Sequence, residues 1–415
     1  MKTFFYSLAW ILILTFIPGC GPGNNKMSGS PVNNNAPVVK GKIIPKVTCQ
    51  KNEAISYALY LPKDYNPARK FPVIIAFDPH GAGSLPLEKY KDLSEKYGYI
   101  LMGSNDSKNG QDMNTSGDII DALFSETTGR YSIDQDRIYV MGFSGGARVA
   151  SVLGFYQGGV AGVIGCGAGL PSTKQPVRFK PDFISLVGNA DFNMNELIAL
   201  DKQMDQANLT HALILFNGKH EWPPEGIMEY AFFWNEFCSM RKGLILKNDS
   251  MILNFVHSQE KIINNEKETG DALAEYNHLL NLIRFINGLA PTEDLKRSLD
   301  ELENSSAYKV QQKQTQQLMG KEMREQQTLN DDFFSKDLGW WKKKISNYDL
   351  QIRQGKDSSE VRMFKRLKSY LSLLSYMSYN RVLSSNDTVA AKHAMDIYEI
   401  VDPVNAASTK ADKGK

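Results

Sequence analysis

The hydrophobic pattern changes character once along the chain. Up to about residue 243, short apolar runs recur: Val73 to Phe77, Tyr99 to Met102, Ile138 to Met141, Val160 to Ile164, Phe183 to Val187 and Ala212 to Phe216. Continuous runs of four to six such residues suit strands buried on both faces of a parallel sheet. An alternating strand, Tyr57 to Leu61, precedes them. Between the runs, Leu87 to Tyr97, Asp118 to Phe124, Ala147 to Phe155 and Glu196 to Gln206 carry helical spacing. This alternation predicts an α/β domain, a doubly wound and mostly parallel sheet, over residues 45–243.

The remainder, residues 244–415, reads as all-helical. Leu273, Tyr276, Leu280, Ile283 and Ile286 recur at three- and four-residue steps until Gly288 and Pro291 stop them. Val361, Phe364, Leu367, Leu371 and Leu374 repeat the pattern. Gln311 to Asn330, rich in Gln, Lys and Glu, reads as a solvated helix. Ala390 to Ile400, followed by Asp402 and Pro403, is faintly similar to the second helix of a tetratricopeptide repeat. No 34-residue period accompanies it, so an irregular bundle is the equal alternative.

The N-terminus has a different logic. Lys2 precedes an apolar stretch, Phe4 to Ile17, of signal-peptide length, too short to span a bilayer comfortably. It ends in Ile17-Pro18-Gly19-Cys20, which resembles a bacterial lipobox with Pro18 in place of the usual small residue. Residues 1–19 are therefore expected to be a lipoprotein signal and Cys20 the lipidated residue, with an ordinary secretory signal as the alternative. Gly21 to Ala36 is rich in Gly, Asn, Ser and Pro, and residues 20–44 would be a flexible tether. The implied location is the bacterial cell envelope, with the membrane contacted through the lipid on Cys20.

Composition narrows the classes further. With 415 residues, 42% hydrophobic and 23% charged, the chain is globular. Forty-eight basic against 46 acidic residues give a net charge of +2, which speaks against a nucleic-acid partner. Cys49, Cys166 and Cys238 fit no zinc or redox spacing and are read as three thiols; a Cys49–Cys238 disulfide is the alternative.

Candidate chemistry gathers where the predicted strands end. Gly142-Phe143-Ser144-Gly145-Gly146 is a G-x-S-x-G sequence between a predicted buried strand and a predicted helix. In that context the serine hydroxyl projects from a strained turn, and the Gly145 N–H opens a helix beside it. The other reading is a glycine-rich turn with an idle serine. A nucleophilic serine needs a base. Of the six histidines, His257, His278 and His393 fall in the helical half, and His211 precedes its strand. His220 follows that strand, where the functional groups of open α/β sheets collect. The same rule favours Asp191 over Asp182 as the acid, with Asp201 and Asp205 weaker. Capping of the helix after Asn193 is the competing role for Asp191. The loop His80-Gly81-Ala82-Gly83 follows a central strand and offers Gly81 or Ala82 as oxyanion donors alongside Gly145. His80 is expected to brace this loop.

Together Tyr60-Leu61-Pro62, His80 to Gly83, residues 136–147, Gly188 to Asp191 and His220-Glu221-Trp222-Pro223 resemble the α/β-hydrolase superfamily. Within it, the likeness is to secreted polyhydroxybutyrate-depolymerase-like and feruloyl- or acetyl-esterase-like enzymes. It covers residues 50–240, about half of the chain. The resemblance implies a cofactor-free, metal-free serine hydrolase whose nucleophile, acid and base are Ser144, Asp191 and His220, in that chain order. Its substrate would be a small-molecule or polymeric carboxylic ester. Asp78-Pro79 replaces the apolar residues usual before the His-Gly pair, and the helical half is foreign to simple esterases. Two other functions suit the same residues. One is a serine peptidase. The other is a scaffold lipoprotein whose helical half grips a protein partner and whose triad is vestigial.

Overall fold

A computed structural model describes residues 39–171, 175–356 and 358–413. The expected signal, Cys20 and most of the expected tether lie outside the described residues.

Eight strands form one sheet: β1 (Ile43–Thr48), β2 (Ser56–Tyr60), β3 (Phe71–Phe77), β4 (Ile100–Ser104), β5 (Ile133–Phe143), β6 (Gly162–Cys166), β7 (Asp182–Gly188) and β8 (His211–Phe216). Their order is β1-β2-β4-β3-β5-β6-β7-β8. The pairs β1/β2 and β2/β4 are antiparallel, whereas β3/β4, β3/β5 and β5/β6 are parallel. Every residue of β3, β4, β6 and β7 is buried, as their unbroken apolar runs require.

The helices between strands are α1 (Ser84–Tyr97), α2 (Met113–Arg130), α3 (Gly145–Val152), α4 (Met194–Gln206) and α5 (Glu225–Arg241). The expected helix Ala147 to Phe155 is α3 running into a π-helical turn, Leu153–Gln157. The mostly parallel sheet with flanking helices is the expected α/β class, and a helical region follows it. That region comprises α6 (Asp249–Thr269), α7 (Ala272–Ile286), α8 (Glu293–Asn304), α9 (Ser306–Asp332), α10 (Leu338–Gln354), α11 (Ser358–Ser384), α12 (Thr388–Val401) and α13 (Pro403–Lys413). Its core includes Leu329, Trp341, Tyr348, Met363, Leu367 and Ile397. Helix α9 is the solvated helix anticipated from its composition, with only Tyr308, Glu322 and Leu329 buried.

Two elements depart from the sequence reading. Strand β1 begins at Ile43, inside the stretch assigned to the tether. It is an edge strand containing Pro45, with a break in register between Ile44 and Val47, so it shows no strand periodicity. Helix α5 is buried around most of its circumference from Met228 to Met240, which removes the amphipathic stripe by which a helix is recognised.

By density of contacts the chain divides into two compact units. The first holds residues up to Ser185 with Lys202–His211 and Pro224–Ser239. The second holds Leu186–Asp201, Ala212–Pro223 and the chain from Met240 onward.

Candidate active site

Within the first unit, β5 runs into α3 through Ser144 alone. Its backbone stands at φ 53°, ψ −118°. Among the described residues, the other non-glycine positions with positive φ are Asn208 and Asn386. Asparagine tolerates positive φ through its short polar side chain; serine held there costs about 1–3 kcal/mol, and strain of this kind clusters at functional sites. Flanking bonds hold it: the Ser144 N–H donates to the Cys166 carbonyl at 2.9 Å, and its own carbonyl accepts from Ala147 N–H at 3.1 Å.

The glycines beside the serine have a steric explanation. A Cβ at Gly146 would run into the Phe77 carbonyl oxygen of β3, and one at Gly142 into the Gly146 carbonyl. The strand-to-helix turn closes this tightly only with hydrogen at both positions. A Cβ at Gly145 would strike Asn109 Oδ1, so the Asn109 side chain overlies the elbow. Sequence reading passed over Asn109. It lies in the exposed loop after β4, and only its place beyond a strand's carboxyl end marks it.

The loop after β3 is organised by Asp78, not by His80 as expected. The buried Asp78 carboxylate accepts from the His80 N–H at 2.9 Å and the Ala82 N–H at 3.4 Å, while the Asp78 carbonyl accepts from Gly81 N–H at 3.2 Å. The His80 side chain is 82% exposed, its Nδ1 3.6 Å from Asp78 Oδ1, and that carboxylate raises the imidazole pKa above its ordinary value. Asp78 is short enough to reach amides two and four residues on; the imidazole is left in water. Gly81 has φ 71°, and a Cβ there would press on the Asn105 carbonyl. Both N–H groups expected to serve as oxyanion donors in this loop, those of Gly81 and Ala82, thus donate to Asp78.

Within the second unit the structure brings Asp191 and His220 together. Asp191 is 1% exposed, and its Oδ2 lies 2.8 Å from His220 Nδ1. A carboxylate only accepts, so Nδ1 carries a proton, and in the neutral imidazole this tautomer leaves the lone pair on Nε2. The other oxygen, Oδ1, accepts the Asn193 N–H at 2.8 Å. Asp191 therefore contacts the imidazole with one oxygen and, with the other, closes the turn that leads into α4. The Phe192 ring lies 4.2 Å from the imidazole and limits its swing. The Asp191 loop is tied to the segment leading to His220 by Asn189 N–H to the Phe216 carbonyl and Ala190 N–H to the Gly218 carbonyl, each 2.8 Å.

Most of the competing residues are engaged elsewhere, while His257 is exposed on α6. His211 Nδ1 lies 2.8 Å from the Leu209 carbonyl, and its Nε2 is 3.5 Å from Asp205. His278 pairs with Glu266, and His393 Nε2 contacts the Phe333 carbonyl at 3.0 Å. Asp201 is bound by Arg284 at 2.8 Å. Cys49, Cys166 and Cys238 are buried and none forms a disulfide, which removes the Cys49–Cys238 alternative. Burial, reinforced by Glu126 and Asp106, pushes the Cys49 thiol up to about 12.

No family model matches the chain, and no curated protein does. Solved structures do show similarity. S-formylglutathione hydrolase from Staphylococcus aureus is 12% identical over 44% of this chain and 90% of its own, with a TM-score of 0.37. Esterase B from Lactobacillus rhamnosis is 16% identical over 50% of this chain and 90% of its own, with a TM-score of 0.41. A ferulic acid esterase from Anaeromyces mucronatus is 16% identical over 46% and 88%, with a TM-score of 0.37. By name these neighbours are a hydrolase and two esterases, and each is alike to about half of this chain.

Proposed function

We propose that the protein is a serine hydrolase that cleaves carboxylic esters through an acyl-enzyme. The observation that carries this reading is the backbone of Ser144: a serine held at φ 53° between a buried strand and a helix N-terminus. Strain of that kind persists only where surrounding structure enforces it, and here it sets the side chain of the residue type that can act as nucleophile.

In the proposed reaction Ser144 Oγ attacks the ester carbonyl and His220 Nε2 takes its proton. Asp191 keeps the imidazole in the required tautomer and stabilises the imidazolium. The Asp191–His220 bond at 2.8 Å supports this assignment, because it leaves Nε2 as the basic nitrogen. The tetrahedral oxyanion is held by the Gly145 N–H, which as the first amide of α3 has no acceptor within the helix. The second donor comes from the Asp78 loop. Its Ala82 N–H makes the longer bond to Asp78, 3.4 Å, and gives that bond up to an oxyanion at the smaller cost. His220 then protonates the departing alcohol, and water attacks the acyl-enzyme by the same route in reverse.

The test is turnover of acetyl, feruloyl and longer-chain nitrophenyl or methyl esters by the wild type beside Ser144→Ala. The expected result is hydrolysis of at least one acyl class, reduced by on the order of 10⁴-fold or more in the variant. Equal turnover in both proteins would remove the assignment.

A further inference from the structure

Glu322 and Arg366 form an ion pair where burial gives no obvious reason for one. They project from α9 and α11 and are 0% and 2% exposed. Arg366 Nε lies 2.8 and 3.1 Å from the two Glu322 oxygens, and Nη2 lies 2.6 Å from Oε2. The guanidinium thereby spends one edge on the carboxylate. Its remaining nitrogen, Nη1, donates at 2.6 Å to the carbonyl of Asn189, two residues before Asp191. Glu322 Oε2 also accepts from Asn195 Nδ2 at 3.0 Å, at the start of α4 on the other side of Asp191.

Stability alone does not account for this pair. Moving two charges out of water costs more than their attraction commonly returns, and apolar side chains of similar volume pack helices at least as well. A rigid donor aimed at one backbone carbonyl is something apolar residues cannot supply. Lysine cannot supply it either, since the planar fork is what lets one side chain hold the carboxylate and still present a free N–H in a fixed direction.

We propose that Arg366 is a positioning residue for the acid loop. Fixed by Glu322, it holds the Asn189 carbonyl from one side while the Asn189 and Ala190 amides are held from the other by Phe216 and Gly218. The Asp191 carboxylate is thereby kept in register with His220. The helical half is then part of the site's construction, and its removal would loosen the acid rather than merely uncover it. The proposal rests on the reading of Asp191 and His220 as acid and base, but its first consequence, a fixed loop, does not need that reading.

The experiment uses the full chain with Arg366→Met, Arg366→Lys and the double variant Glu322→Met/Arg366→Met. The double variant keeps the test open if a lone Glu322 charge prevents folding. Amide hydrogen exchange over residues 188–193, thermal unfolding, and kcat and KM on an ester that the wild type hydrolyses are read in each. The double variant is expected to unfold no lower than wild type, yet to exchange its loop amides at least about tenfold faster. Its kcat should fall about ten- to a hundredfold with KM little changed, as for a misplacement of about 1 Å. Arg366→Lys should lose kcat in the same sense. Wild-type exchange in the loop of the double variant would overturn the proposal, as would faster exchange spread evenly over the chain. If the wild type shows no Ser144-dependent turnover, the hydrolase reading fails, and the exchange comparison still decides whether Arg366 fixes the loop.

Discussion

Asp191 can be read two ways from sequence, and in the folded chain its two oxygens make two separate contacts. One oxygen closes the turn on Asn193 N–H and the other meets His220 Nδ1. Asp191→Asn separates the roles. An asparagine oxygen forms the same turn, since Asn and Asp are equivalent there, so stability should change by less than about 1 kcal/mol. The amide cannot serve the imidazole in the same way, and kcat should fall on the order of 10⁴-fold. Steady-state kinetics together with a denaturant titration check the two halves. Asp191 and His220 were legible because both lie just past strands that announce themselves as apolar runs. The Asp78 loop was not legible in its detail. A histidine beside glycine attracts a bracing role, while the actual acceptor is the shorter acid two positions earlier, whose reach to the His80 and Ala82 amides appears only once the loop is folded.

At the scale of elements, sequence identified what is buried on both faces and lost what is not periodic. Strands β3, β4, β6, β7 and β8 coincide with the apolar runs to within one or two residues. Strand β1 was lost to Pro45 and its register break, and α5 to burial on nearly every side. The elbow between β5 and α3 was legible as spacing, and the structure supplies its physical reason. Gly146→Ala tests that reason. The added methyl would meet the Phe77 carbonyl, a backbone atom of a central strand that cannot swing aside. Overpacking of this kind costs about 1–3 kcal/mol. The expected outcome is a lowered denaturation midpoint together with loss of esterase turnover, because relief of the clash moves Ser144. A variant with wild-type midpoint and turnover would show that the turn has room the geometry denies it.

At the scale of the whole chain, the change from alternating strands and helices to helices alone was visible in the hydrophobic period, and a near-neutral charge balance set nucleic acid aside. What the helices carry was not visible. Arg366 reads in sequence as one of several basic residues on an amphipathic helix, and Glu322 as part of a solvated Gln- and Glu-rich tract. Their burial and their reach to Asn189 depend on tertiary packing that no local pattern encodes. The Asp191 loop and the helices lie in the same compact unit. The account as a whole stands on Ser144 being the nucleophile. The most direct measurement is the mass of the folded chain after a fluorophosphonate probe, followed by peptide mapping. The account predicts a single adduct, on the peptide containing Ser144 and on that hydroxyl, absent in Ser144→Ala. A folded protein that takes up no adduct, or takes it up elsewhere, would contradict it and shift the function to binding by the helical half.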